Sequence, residues 1–484
     1  MAIRVWNKVR KESDTLAELR YRPAPRFLEL GPGFADEVAP AEFPEHVLRF
    51  RNQRWAERVG LGTLSDDEWL AHFARFEPLP HNLERPLALR YHGHQFNSYN
   101  PELGDGRGFL FAQLEDAHGR LLDLGSKGSG KTPYSRTADG RLTLKGGVRE
   151  VLATEMLEAL GVYTSKSFSL FETGEPLFRG DEPSPTRSSV LVRLSHSHVR
   201  IGTFQRFYYL GENAHSQKLL DYCIRYFYPE LEAEAEHASA FLREVTRRSA
   251  RLCGHWLAAG FVHGVLNSDN MTVTGESFDY GPYRFLPHYD PNFVAAYFDS
   301  AGLYAFGNQP RAVFRNLERL AETLTEIADE TALGEALREF TSELTRARTD
   351  GLLARLGVAS AGHDSDQRLV NLLLDFLTAT RMPYDRVFFD WFGGAASRER
   401  ALGGPAGAYY ERPAFSALRS EIEARSPVSQ AALSAPYFQR TEPCTLLIDE
   451  IERIWLAIAE RDDWTPFTQK IAEIRELGAT QKQS

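Results

Sequence analysis

The sequence has few of the features that would cross-link it, carry it through a membrane or hold it on nucleic acid. Only three of its 484 residues are cysteine, and Cys223, Cys253 and Cys444 have no paired spacing. That excludes a disulfide framework and a CxxC metal site and predicts buried thiols. No apolar run approaches the roughly 18–20 residues of a membrane span. The opening MAIRVWNKVRKESD lacks the apolar core of a signal peptide, so the expectation is a cytoplasmic protein with no membrane partner. Basic residues are in the minority, 56 against 66 acidic ones, for a formal net charge of −10. Nucleic acid is therefore excluded as the main partner, although a local basic pocket is compatible with that balance. No internal repeat is visible. What remains is a globular composition of 43% hydrophobic, 12% aromatic and 25% charged residues, with length for one large or two to three ordinary domains.

Residues 44–78 read as helices, with Val47, Leu48, Phe50 and Trp55 at helical spacing and a Ser65/Glu68 capping box before Trp69, Leu70 and Phe73. From about 86 to 145 the pattern changes to short β runs, GFLFAQL (108–114) and RLLDLGSK (120–127), separated by Gly and Asp turns. Residues 146–160 carry Val148, Val151, Leu152, Met156 and Leu160 at helical intervals and stop before Gly161. Strands are expected at 164–171 and 189–194 and helices from about 215 to 260. A polar loop and hairpin follow at 261–300. Beyond 308 the pattern is helical to the end, broken at 362–366 and 403–408.

Gly125–Thr132, GSKGSGKT, fits the Walker A pattern, which requires a helix to start at its Lys-Thr pair. Pro133 follows at once and PYSRTADGRL has turn residues without an apolar stripe, so a P-loop is disfavoured. Leu446–Glu450 resembles a Walker B strand but continues into a helical stripe of Ile451, Ile454, Trp455 and Ile458. A kinase-type order of parts fits better. The turn LGDGRG (103–108) precedes Lys127 at a strand end, Glu150 on the next helix, HGVLNSDN (263–270) and Asp279-Tyr280-Gly281. Glu150 shares its helical face with Ala153, Thr154 and Leu157, where an unpaired carboxylate is costly, so a cationic partner is expected. Asn270 falls at the metal-binding Asn position, but Val265 occupies the catalytic Asp position and cannot accept a proton. Asp269 is the nearest replacement carboxylate. His263 reads as a loop-holding residue. His92 and His94 in YHGHQF alternate on an extended segment without a carboxylate-rich partner, which argues against zinc.

Together HGHQF, LGDGR, TPYSR-x-ADGR, VRLSHSHVRIGTF, HGVLNSDNM, DYGP, YDP and YAFGNQP resemble the selenoprotein O (YdiU) family of pseudokinase-fold protein adenylyltransferases, over roughly residues 90–325. The resemblance implies a nucleotide bound inverted relative to a kinase, and transfer of AMP from ATP to Ser, Thr or Tyr hydroxyls of proteins with release of pyrophosphate. UMP from UTP is a second donor, and the protein itself a further acceptor. It implies Gly104, Gly106, Arg107, Lys127, Asp139, Gly140, Arg193, Arg200 and Asp279 as nucleotide-binding residues, with Asp269 as general base, while the order of Lys127 and Glu150 along the chain predicts a catalytic ion pair between them. Asn270 and Asp279 are implied to hold Mg²⁺ or Mn²⁺. Arg193 and Arg200, seven residues apart, suit a pyrophosphate leaving group because guanidinium binds phosphate oxygens bidentately. The chain departs from the family in ending ELGATQKQS without a Cys or selenocysteine, in lacking a recognisable C-terminal Asn-Pro and Arg-Asn-His segment, and in the wording of YHGHQFNSYNPELGDGR.

The expected fold is α+β, a two-lobed protein-kinase-like fold with added N-terminal and C-terminal helical elements. Its expected parts are an N-terminal extension (1–85), an N-lobe of sheet and one helix (86–210), a C-lobe with catalytic and metal loops (211–345) and a C-terminal helical extension (346–484). The alternatives to the adenylyltransferase are a P-loop ATPase or conventional kinase-type phosphotransferase, and a non-catalytic pseudokinase that binds partners.

Overall fold

Val190, Leu191 and Val192 are a continuous apolar run, resumed at Leu194 after Arg193, the signature of a strand covered on both faces. In the computed structural model, which describes residues 20–180 and 182–483, that run lies in the middle of the main sheet. The opening MAIRVWNKVRKESD, read above for a signal peptide, lies outside the described residues. In chain order the strands are β1 (Ala35–Glu37), β2 (Val47–Arg51), β3 (Leu87–Leu89), β4 (Gly93–Gln95), β5 (Ser98–Asn100), β6 (Leu110–Glu115), β7 (Leu121–Lys127), β8 (Leu142–Thr143), β9 (Lys166–Leu177), β10 (Thr186–Ser195), β11 (Phe261–Val262) and β12 (Arg284–Phe285). Eight of them form one antiparallel sheet, ordered β1-β3-β6-β7-β10-β9-β2 with β8 alongside β10. β4 with β5 and β11 with β12 make separate two-stranded ribbons.

Helices α1 (Gln53–Arg58) and α2 (Asp66–Phe73) cover one face of the sheet: Trp69 and Phe73 cluster with Phe111, Leu124, Phe168, Val190 and Val192. Helix α3 (Leu144–Ala159) covers the other, packing Val148, Val151 and Leu152 in the cluster that holds Leu170 and Leu191. The Ser65/Glu68 capping box forms as expected, with Ser65 Oγ accepting from Glu68 N at 3.3 Å and Glu68 Oε2 accepting from Ser65 N at 2.8 Å. The helical reading of Val47–Phe50 is overturned. Those residues pair with β9, Val47 opposite Glu172 and Arg51 opposite Ser169, and the helix begins only after Asn52, whose side chain accepts from Trp55 N. A run this short fits period two as well as period 3.6, and the open edge of β9 decides between them.

The rest of the chain is helical: α4 (Ile201–Tyr209), α5 (Asn213–Phe227), α6 (His237–Ala259), α7 (Gln309–Thr323), α8 (Glu330–Leu337), α9 (Phe340–Leu356), α10 (His363–Thr380), α11 (Tyr384–Asp390), α12 (Arg398–Gly403), α13 (Gly407–Tyr410), α14 (Ser416–Glu423), α15 (Gln430–Leu433), α16 (Ile448–Arg461) and α17 (Thr465–Gln483). The break expected at 362–366 lies earlier, at 357–362 between α9 and α10, because His363–Asp366 are already the first turn of α10. The Walker B lookalike is helical, as its apolar stripe requires. Cys223, Cys253 and Cys444 are free and buried. No described helix is long and apolar enough to cross a membrane.

The last two helices return to the sheet end of the molecule. On α17, Arg475 donates to both oxygens of Glu155 on α3, at 2.8 and 2.9 Å. On α16, Glu452 accepts from Lys145 at 2.7 Å, and just beyond it Asp462 pairs with Arg187 of β10 at 2.7 Å. Glu155 is buried, so removing its bidentate partner leaves carboxylate oxygens short of donors. Arg475→Ala is expected to cost about 1–3 kcal/mol of stability, read as a lowered urea midpoint with an unchanged slope.

Candidate active site

β7 ends at Lys127, 4% exposed, and its ammonium meets two carboxylates: Glu150 Oε1, from a residue 1% exposed on α3, and Asp279 Oδ1. The cationic partner required by the apolar face around Glu150 is therefore Lys127. Asp279 has a left-handed backbone (φ 65°), an arrangement that costs a non-glycine residue about 1–2 kcal/mol. The flanking residues hold it: Phe278 O accepts from the His263 ring at 3.0 Å, and the Tyr280 hydroxyl bonds Thr164. Burial alone would push the Asp279 carboxyl up, but Lys127, Arg193 and Arg107 outweigh it and hold the group well below the usual carboxylate range.

Arg193 lies opposite Gly125 in the β10–β7 pairing, which brings its Nη1 to 3.4 Å from Asp279 Oδ1. Arg200 donates to the Asp269 carbonyl at 2.9 Å and to Asp105 Oδ1 at 3.0 Å, and lies over the rings of Tyr91 and Phe278. The Nε groups of both arginines are buried without a protein partner. Asp105 was not singled out from the sequence, yet it ties the LGDGRG turn to the site, accepting also from Leu89 N at 3.1 Å. Its signal was a lone acid between two glycines.

Asn267 leads into a tight turn, Ser268–Asn270. The Asn270 amide nitrogen donates to Val265 O at 3.0 Å, which leaves its oxygen for another partner. Asp269 is buried with Oδ1 lacking any hydrogen-bond donor. Burial pushes its carboxyl up to about 6, against the pull of Arg200. His263 has the structural part expected of it, its backbone N–H donating to Gln309 and its ring bonding Phe278 O. The rings of His92 and His94 are likewise engaged, with Tyr99 and Arg206 in one case and Gln205 in the other. Asn270 and Asp279 together offer hard oxygen donors of the kind that Mg²⁺ and Mn²⁺ take, with room in an octahedral shell for phosphate and water. Next in the chain to Asn270, Asp269 adds a further oxygen that has no donor.

The predicted glycines stand where bulk is excluded. A Cβ on Gly104 would lie 2.3 Å from the Tyr134 ring, and Gly106 lies against the Tyr134 carbonyl. Arg107 is exposed at the mouth of the turn, its carbonyl accepting from Gly128 N at 2.6 Å. Asp139 and Gly140 are not joined to Lys127 by any direct contact. Asp139 pairs with Arg179 at 2.8 Å and, with Lys131, lines an open groove, while Gly140 (φ 73°) backs onto Gly130. No helix starts at Lys131-Thr132, where the chain makes turns instead, so the Walker A spelling lacks its structure.

A family described as "Protein adenylyltransferase SelO" matches residues 15–475. The chain belongs to the SelO family. Among curated relatives named "Protein nucleotidyltransferase YdiU", that of Gloeobacter violaceus is 46% identical over 477 residues, covering 96% of each chain. That of Synechocystis is 44% identical over 479 residues, covering 94% of this chain and 98% of its own. The relative from Vibrio cholerae is 38% identical over 335 residues, about two thirds of each. SelO membership thus extends well past the 90–325 stretch that carries the recognisable motifs and takes in the C-terminal helices.

Breaking the Lys127 pairing tests the geometry of the site without reference to any reaction. Lys127→Met leaves buried Glu150 without its cation and Asp279 with Arg193 and Arg107 alone, and is expected to cost about 3–5 kcal/mol. Glu150→Gln in the same chain removes that orphaned charge. The double variant should melt above Lys127→Met alone, and calorimetric unfolding of the two single variants and the double variant measures the coupling.

Proposed function

We propose that this chain transfers AMP from ATP to Ser, Thr or Tyr hydroxyls of protein substrates and releases pyrophosphate. The observation that carries this reading is Asp269: a buried carboxylate beside Asn270 with one oxygen unpartnered, at a loop whose kinase-type base position is filled by Val265. In this reading residues 86–210, with α3 and most of the sheet, are the N-lobe of a protein-kinase-like fold, residues 211–345 are the C-lobe and residues 346–484 an extension, while the N-terminal stretch before residue 86 adds β1 and β2 to the edges of the N-lobe sheet. The Lys127–Glu150 pair and the Asn270 and Asp279 side chains support that assignment by their order and contacts.

Arg193 and Arg200 bind the β- and γ-phosphates, with unfilled Nε donors for their oxygens and an aromatic floor of Phe278 that fixes the guanidinium planes. Lys127, anchored by Glu150, holds a phosphate oxygen. The turn Gly104–Arg107 and residues Asp139 and Gly140 complete the nucleotide contacts. Asp269 accepts the proton of the attacking hydroxyl as its oxygen bonds the α-phosphorus. The α–β phosphoanhydride bond breaks, and pyrophosphate leaves against the two arginines. Mg²⁺ or Mn²⁺, held by Asn270 and Asp279, supplies charge neutralisation at the phosphates. The wider word "nucleotidyltransferase" in the relatives' names also accommodates UTP as a donor, and an exposed hydroxyl of this chain as an acceptor.

ATP labelled at the α- or the γ-phosphate separates the classes. An adenylyltransferase leaves α-label on protein and γ-label in pyrophosphate, a kinase does the reverse, and a partner-binding protein labels nothing. AMP adds about 329 Da to intact mass and phosphate about 80 Da, as the transferred groups require. Asp279→Ala and chelation should each abolish α-labelling. γ-Labelling without α-labelling would sink the reading.

A base that titrates near 6 sets the acid side of the pH profile. Asp269 must be ionised to take a proton, so kcat/KM for ATP should fall about tenfold per pH unit below about 6 and level off above it. Asp269→Asn should lose that limb along with about 10²–10⁴-fold in rate.

A further inference from the structure

The β4–β5 ribbon is laid along the Asn267–Asp269 turn. A Cβ on Gly93 would come 3.0 Å from Asp269 Oδ1, His94 N donates to Ser268 Oγ at 2.8 Å, and Phe96 N donates to Asn267 Oδ1 at 3.3 Å. The ribbon tip, Phe96-Asn97, has two successive left-handed residues at φ 47° and 67°. Such tips favour Asn and Gly, and a phenylalanine there is out of place on backbone grounds. Its ring is 38% exposed and packs against Phe298 and Tyr304, with centroids 5.9 and 5.1 Å away. Beside it, Phe298 is 49% and Tyr297 86% exposed.

These rings are displayed by an ordered loop. Asp299 accepts from Leu303 N and Tyr304 N, both at 2.8 Å, and the Tyr304 hydroxyl donates to Asn267 Oδ1 at 2.7 Å. The aromatic patch is therefore hydrogen-bonded to the same turn that presents Asp269. On the other side of the ribbon tip, α7 offers Arg315 and Arg319 one turn apart. Both donate to a single neutral atom, Asn97 Oδ1, at 3.4 and 3.1 Å. Glu318 and Glu322 line the same groove, yet among the described residues neither arginine forms an ion pair. Arg319 donates also to Asn316 Oδ1 at 2.9 Å, and two guanidiniums bonded only to neutral amide oxygens keep donors to spare for a carboxylate, while aromatic rings beside arginine are the residues that protein interfaces favour.

We propose that this surface docks the acceptor: an extended segment of a partner protein sets an apolar side chain on Phe96, Tyr297 and Phe298 and a carboxylate on Arg315 and Arg319, with its hydroxyl at Asp269. The proposal rests on the transferase reading and names its substrate class. Asn267 is two residues from Asp269, about 7 Å of chain, so the apolar residue falls within a few positions of the modified hydroxyl.

A positional peptide library with a fixed Ser, Thr or Tyr, incubated with α-labelled ATP, tests it. The unaltered protein should favour an apolar residue at one position and Asp or Glu over Lys at another, by about fivefold, as expected for an exposed ion pair. Arg315→Glu with Arg319→Glu should reverse the charge preference toward Lys and Arg, a gain that a misfolded variant cannot give. Tyr297→Ser with Phe298→Ser should erase the apolar preference and keep the acidic one. Peptide labelling without these preferences, or with preferences that both double variants leave unchanged, overturns the docking surface while leaving the transferase standing. No label on any peptide from the unaltered protein counts against the transferase reading, and the docking surface falls with it.

Discussion

One ammonium group joins the separate parts of the site. Lys127 ends a strand of the main sheet, Glu150 comes from the helix across that sheet, and Asp279 comes from the loop after α6. Each is buried or nearly so, and each would be costly alone in a medium where charge is poorly solvated. The arrangement is stable only when all three meet, so one contact fixes the strand end, the rotation of α3 and the position of the Asp279 loop relative to one another. Arg193 and Arg200 then occupy places defined by that frame, because β10 pairs with β7 and Phe278 adjoins Asp279.

The two aspartates of the site differ in their surroundings more than in their chemistry. Asp279 faces Lys127, Arg193 and Arg107 and is held ionised, whereas Asp269 is buried with one oxygen unpartnered and its carboxyl is pushed up to about 6. A group held firmly ionised suits a lasting electrostatic contact. One with its pKa close to ambient pH suits proton transfer. The difference between them follows from burial and from which cations the fold places within reach of each.

Much of this was legible in the sequence because the groups occur in a fixed order along it. Lys127, Glu150, Asn270 and Asp279 could be named from spacing and from the cost of burying a lone carboxylate on an apolar helix face. Val47–Arg51 could not be placed, since five residues satisfy both periodicities and only the unpaired edge of β9 makes them a strand. Asp105 was hidden for a different reason: its partner, Arg200, lies 95 positions away, and no local pattern records a contact at that range. The family resemblance reached residue 325, while the match to the family extends to residue 475.

The bidentate contact between Glu155 and Arg475 spans 320 positions. At ribosomal rates of about 5–20 residues per second, a growing chain that has already made Glu155 waits on the order of half a minute for its partner to be polymerised. Through that interval the outer side of α3 keeps a carboxylate without its guanidinium, on the same helix that carries Glu150. The brace on α3 is thus completed only after the C-terminal helices have been made, and a chain cut short before Arg475 lacks the strut on the helix that carries Glu150.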